Sequence, residues 1–265
     1  MGRIDRLILS TSFALLLGSG AALAADMPET PYTPAPTPYE FGSGWYLRGD
    51  VGYKIYGTPH VHFDPFAPNG NEINVSLGNT GLAGVGFGYK VNDWFRTDFT
   101  ADYEFPAHLH GRLFCPPPAG GPIGYTGAPV PQYSNEFADI SAWTFLLNGY
   151  VDLPFAGEGG FGGLTPYVGG GLGAAELMTS NVHFINPDGS TGGWPNGTRW
   201  NFAWSLTAGV SYPITRNFLI DANYRFVDLG KAVSGPTSAN FNNAPIHYDN
   251  IFANEFRIGV RYLIN

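Results

Sequence analysis

Two short histidine pairs carry the ligand chemistry legible in this chain. His60-Val61-His62, with Asp64 close behind, and His108-Leu109-His110 both place imidazoles at positions i and i+2. On an extended chain that spacing turns two rings to one side, an arrangement able to hold a metal ion or a haem iron. The bland reading is two solvated loop pairs, because Pro59 and Pro106 stand where they break the phase of any strand leading in. Glycines 84, 86 and 88 look at first like a phosphate-cradling loop, but no helix follows them, and Gly169-Gly170-Gly171 is read the same way. No cofactor and no resident metal is assigned, and His60, His62, His108 and His110 stand as candidate ligand residues.

A second set of polar residues recurs with a regular period. Trp45, Leu47, Val51, Tyr53 and Ile55 alternate with a face that carries Arg48, Asp50 and Lys54. Side chains of a strand point alternately to opposite faces, so this segment reads as a strand between two different media. The pattern returns in residues 81–91, with Lys90 on the polar face. In residues 95–105, Phe95, Phe99, Ala101, Tyr103 and Phe105 oppose Arg96, Asp98, Asp102 and Glu104. Asp152 closes the polar face of residues 143–152, Asp221 and Arg225 lie on that of 218–226, and Glu255, Arg257 and Arg261 on that of the closing segment ending at Ile264. Residues 199–212 alternate as well, and 165–177 form a strand whose phase its glycines hide. The connections alternate in length, with residues 57–80, 106–139, 178–198 and 227–253 as long loops at one end and short turns at the other.

Totals narrow the class. Charged residues make up 13%, against about a quarter in an average soluble domain. A net charge of -8 without a basic cluster argues against nucleic acid as a partner. Cys115 is the only cysteine, so no intrachain disulfide can form, and beside Pro116-Pro117-Pro118 it reads as a loop residue without chemistry. Arg3 and Arg6 ahead of the apolar run Leu7 to Leu17, then Ala22-Leu23-Ala24, mark residues 1–24 as a cleaved signal peptide. Residues 25–43 are proline-rich and read as an extended periplasmic segment. Beyond the signal no run approaches the roughly 18 to 20 apolar residues of a spanning helix.

Residues 44–265 are therefore expected to form an all-β fold: an eight-stranded antiparallel transmembrane up-and-down β-barrel with short periplasmic turns and long extracellular loops. Period alone does not say which face meets lipid. Rings do: Trp45, Tyr89, Phe95, Tyr212, Phe218 and Tyr262 collect at the short-turn end of the apolar face, and Tyr53, Tyr103, Phe105, Trp143, Trp200, Tyr224 and Phe256 at the other. Two aromatic girdles belong on a bilayer-facing surface. The charges then fill a narrow lumen and must pair there, with Asp50 expected to bond an arginine of the last strand and Lys54 to lie near Glu255. Continued from the strands before them, both histidine pairs fall in the lumen parity at the same end.

Gly44-Trp45-Tyr46-Leu47-Arg48-Gly49-Asp50-Val51-Gly52-Tyr53, Pro166-Tyr167-Val168-Gly169-Gly170-Gly171-Leu172-Gly173 and Phe256-Arg257-Ile258-Gly259-Val260-Arg261-Tyr262 resemble a known family. It is that of the small eight-stranded outer-membrane barrels of alphaproteobacteria, a group with abundant surface antigens and haemin-binding members. The likeness spans nearly the whole barrel region. It implies residence in a Gram-negative outer membrane, contact with outer-membrane lipid, and recognition of the C-terminal strand by the barrel-assembly machinery. That pattern usually ends in an aromatic residue, commonly Phe, whereas Ile264 holds the place here and Asn265 follows.

The function expected is structural and interactive: a barrel in the cell envelope whose long loops meet extracellular or host-surface ligands. Haem or metal capture and a narrow porin-like channel are the alternatives. Catalysis is not expected and no catalytic residue is assigned, because a lipid-modifying Ser/His pair needs its base near the lipid level, and all of His60, His62, His108, His110, His183 and His247 fall in expected loops.

Overall fold

The computed structural model describes residues 44–66, 71–115, 126–129, 131–153, 163–237 and 243–264. The expected signal peptide and proline-rich segment lie outside the described residues. In chain order the strands are β1 (Trp45–Tyr56), β2 (His60–His62), β3 (Ile73–Leu77), β4 (Thr80–Lys90), β5 (Phe95–Cys115), β6 (Gln132–Asp152), β7 (Thr165–Ile185), β8 (Thr191–Gly193), β9 (Gly197–Pro213), β10 (Phe218–Val233) and β11 (His247–Ile264). Eight of them close a ring, β1-β4-β5-β6-β7-β9-β10-β11, and β1 returns to β11 in antiparallel register from Trp45↔Ile264 to Tyr56↔Ala253. The three short strands are additions at the end with the long connections: β2 pairs β11, β3 pairs β5, and β8 pairs β7.

Period-two alternation decides what each face meets. Val85 is 64% exposed, Leu147 63% and Phe202 67%, in a belt that also includes Trp45, Tyr89, Tyr212 and Tyr262. Leaving such side chains in water forgoes roughly 1.5–3 kcal/mol each, so the medium around this belt is hydrocarbon. On β7 the exposed Val168 and Leu172 settle the phase that the glycines hid, and Tyr167, Ala175 and Leu177 point inward.

Length separates two halves. A tilted strand crosses a bilayer in about 9–11 residues, yet β5, β6 and β7 each run 21. Their distal halves therefore stand beyond the membrane. Much of 106–139, 178–198 and 227–253, expected as loops, is strand instead. The cause is packing: Leu109, Leu113, Ile140, Leu177, Val182, Leu229 and Ile251 turn inward onto Val61, Phe63 and Trp194 and build an apolar core above the membrane-level lumen. The described residues of segment 57–80 likewise supply Val61, Phe63 and Leu77 to that core, and Cys115 is the buried last residue of β5.

The transition between halves is marked by β-bulges. One residue too many is inserted on β5 between Glu104 and Ala107, on β7 beside Asn181, on β10 between Asp228 and Ala232, and on β11 beside Asn250. Each extra residue inverts the inward parity of its strand. On β5 the cause is Pro106, which has no N–H to give the ladder.

Candidate functional site

At membrane level the lumen is filled by interlocked ion pairs. Arg48 donates to Asp50 on its own strand at 2.8 Å and to Asp98 at 2.9 Å. Asp102 accepts from Arg257 at 2.6 Å and from Arg225 at 2.8 Å, and Arg257 also reaches Glu255 at 3.1 Å. Lys54 sits between Glu104 and Glu255, the latter at 3.1 Å, while Tyr56 and Thr144 donate to Glu104. Nearer the short turns Arg96 meets Asp152 at 3.1 Å and lies over the rings of Tyr150 and Tyr167, and Arg261 grips Asp221 at 2.7 Å. Gly84 and Gly259 are what let strands bear this crowding: a Cβ at the first would strike Asp102, and at the second Asp50.

Two expectations need adjusting. Asp50 is held first by Arg48, with Arg257 of the last strand more distant at 3.8 Å. An i,i+2 pair on one face of β1 is closer than the closing strand, because Gly259 and not an arginine stands directly across from Asp50. Lys90, at the end of β4, pairs with the exposed Asp93 of the following turn at 3.3 Å.

Above this network the apolar core also encloses a pair of carboxyl groups. Glu72 and Glu136 are buried there, and none of their carboxyl oxygens meets a donor among the described residues. Two carboxylates cannot both ionise in such a place. Burial pushes Glu72 up to about 7, and burial together with Glu72 pushes Glu136 well above the glutamate range. The folded state thus holds these protons more tightly than an unfolded chain does. The associated stability is complete below the ordinary carboxylate pKa and is lost as pH rises through about 7. Hydrogen exchange corrected for base catalysis should therefore show the β3–β5 pairing at Ser76 and Leu77 opening more readily at about pH 8 than at about pH 6. Glu72→Gln should flatten that dependence, because the group that titrates near 7 is then gone; equal opening at both values in the parent would dismiss the buried, protonated Glu72.

The histidines lie on the outer wall of the distal half, in two groups. Val61 and Leu109 are buried, so His60, His62, His108 and His110 face outward, not into the lumen as strand parity implied. The bulge at Pro106 turns the β5 pair, and the break at 57–59 turns the β2 pair. His108 lies 2.5 Å from Asp139, which also accepts from Asn181, while Phe137 stacks on His183 and meets His110 at a tilt. His60 and His62 belong to a different group, on β2 against β11, with His247, Asp64 and Asp249. The four sequence-chosen residues do not form one site. His247, Asp249, Asp139 and His183 join them only through long-range pairing; the signal that could have found His247 and Asp249 is β11 parity, and the bulge beside Asn250 inverts it.

Residues 11–262 match the family described as outer membrane protein beta-barrel domain. The chain belongs to that family. An uncharacterized protein of Brucella melitensis is 35% identical over 80% of this chain and 78% of its own length. The outer membrane protein PagN of Salmonella typhimurium is 30% identical over 83% of this chain and 89% of its own. A Rickettsia conorii protein named as a candidate adhesin is 26% identical over 74% and 72%.

As an outer membrane barrel, the chain puts its exposed aromatic belt in lipid, its short turns in the periplasm and its distal half outside the cell. Its role is structural and interactive, in the Gram-negative envelope. The long strands give that role a definite shape: among the described residues, what faces outward is a walled extension of the ring with its own interior.

Proposed function

We propose that this protein is a surface-recognition barrel whose distal half binds ligands on another cell or in the extracellular matrix. One observation carries the reading. The strands continue well past the membrane and enclose an apolar core, so the exposed outer wall is pre-ordered and little entropy is lost when a partner docks. The adhesin name of the Rickettsia relative agrees with it. Display of the chain on a non-adherent Gram-negative host should confer attachment to cultured mammalian cells or matrix-coated surfaces. A version with residues 106–139 replaced by a tight hairpin should insert equally and not attach; equal attachment by both would sink the proposal.

A narrow channel is disfavoured by the same interior. Ion pairs fill the lumen at membrane level and apolar side chains fill it above, so the purified barrel is expected to give no steady conductance in planar bilayers, and a reproducible ion-selective step would reverse that reading. Catalysis is disfavoured by the histidines' partners among the described residues, which are Asp64, Asp139, Asp249 and the Asn181 carbonyl and not the hydroxyl or thiol that Ser/His or Cys/His chemistry needs.

Export by residues 1–24, a periplasmic tether over 25–43 and delivery by the barrel-assembly machinery through β11 belong to the same proposal. Ile264, 40% exposed toward lipid opposite Trp45, stands in the position that machinery would read. Ile264→Phe is expected to keep or raise the yield of heat-modifiable barrel in outer-membrane fractions, and a marked fall would remove β11 from that role.

A further inference from the structure

The group on β2 and β11 converges more closely than a solvated histidine patch requires. Antiparallel pairing sets His62 directly across from His247, and their rings stack with centroids 5.0 Å apart and planes inclined by 16°. Asp64, on the single 3-10 turn after β2, brings one carboxylate oxygen to 3.4 Å from His62 Nε2 and the other to 3.9 Å from His247 Nε2. The two imidazole nitrogens and the carboxylate lie within 4.8 Å of one another. We infer that His62, Asp64 and His247 form a binding site for a divalent zinc-class metal ion on the outer wall of the barrel.

Three lines of geometry support it. Bonds of about 2.0–2.1 Å in a tetrahedron place donors about 3.3 Å apart, so the 3.4 Å separation already fits and the 3.9 Å one needs a shift of an exposed aspartate. Second, the other ring nitrogen of His62 is buried and has no hydrogen-bond partner among the described residues, while Asp249 waits 3.7 Å away. A metal on Nε2 fixes the proton on Nδ1 and makes it a donor to that carboxylate, the usual outer support of a metal-bound histidine. Asp249 is itself held by Lys231 at 3.2 Å. Third, the donor set selects the ion: two imidazoles with one carboxylate suit zinc, copper or nickel rather than calcium or magnesium, which prefer oxygen alone.

Exposure defines the kind of site. His62 and His247 keep about a quarter of their side-chain surface exposed, at 25% and 29%, and Asp64 keeps 71%. A site so open leaves at least one coordination position to water or to a donor from a partner, unlike a closed structural zinc. It is an exchangeable surface site and stands apart from the attachment reading, which does not require it.

The test is a zinc titration of the refolded barrel in detergent or nanodiscs by calorimetry. One ion per chain should bind saturably. His62→Ala and His247→Ala should each weaken it at least tenfold, Asp249→Asn about tenfold, and His108→Ala with His110→Ala not at all, with heat-modifiable mobility confirming the fold of every variant. Should a variant fail to fold, the copper-loaded parent decides the matter, because pulsed electron resonance counts coordinated imidazoles: two support the site. No saturable zinc binding, unchanged affinity in both histidine variants, or fewer than two imidazoles on copper would overturn it.

Discussion

Asp102→Asn is expected to cost the folded barrel about 3–5 kcal/mol, the usual penalty for stranding buried charge. It would appear as a large fall in the urea midpoint of unfolding from detergent and as loss of the heat-modifiable form. Asp102 is where two arginines from β10 and β11 meet a carboxylate from β5, across the lumen, with Arg257 at 2.6 Å and Arg225 at 2.8 Å. Asparagine keeps the shape and removes the charge, leaving the Arg225 and Arg257 guanidiniums to share Glu255 and the more distant Asp50. The double replacement Asp102→Leu with Arg257→Met removes one charge of each sign and leaves Arg225 beside Glu255 and Lys54 beside Glu104. It is expected to cost less than Asp102→Asn alone, and a double variant that is worse than the single would show that the carboxylate acts through something other than pairing.

Phe63→Ala should produce a loss of similar size confined to the distal half. Phe63 is wholly buried at the centre of the apolar core and meets Trp194 edge-on at a centroid distance of 5.4 Å. Truncating a buried phenylalanine typically costs about 3–5 kcal/mol. Because the ion-paired ring below is held mainly by its own ion pairs, the expected result is rapid proteolysis and amide exchange in the distal ends of β5, β6 and β11 while the membrane-level strands stay protected. Uniform loss of protection along whole strands would mean that the two halves unfold together.

The membrane half was legible because one rule governs it. Lipid outside and ions inside force strict alternation, so the inward set Arg48, Lys54, Arg96, Asp98, Asp102, Glu104, Arg225, Glu255, Arg257 and Arg261 could be read from parity, and the nearness of Lys54 to Glu255 from closure. The distal half obeys the opposite rule, apolar inside and polar outside. Its residues Leu109, Leu113, Ala138 and Ile140 alternate just as regularly, but beside Pro106 and two histidines they resemble a loop. The phase change at each bulge then reversed the orientation of His108, His110, His247 and Asp249. No short-range pattern announces that His62 will stand across from His247, since that contact follows from where β2 folds back on the closing strand.

The bulges have a wider meaning for how such a barrel can change over time. Since parity restarts above them, insertions or exchanges of sequence beyond Pro106, Asn181 and Asn250 need not be registered with the ionic ring below. The exterior portion can then be exchanged as a cassette while the anchor stays constant. Chimeras joined at these residues, carrying another barrel's exterior, should insert normally, whereas joints a few residues lower should not.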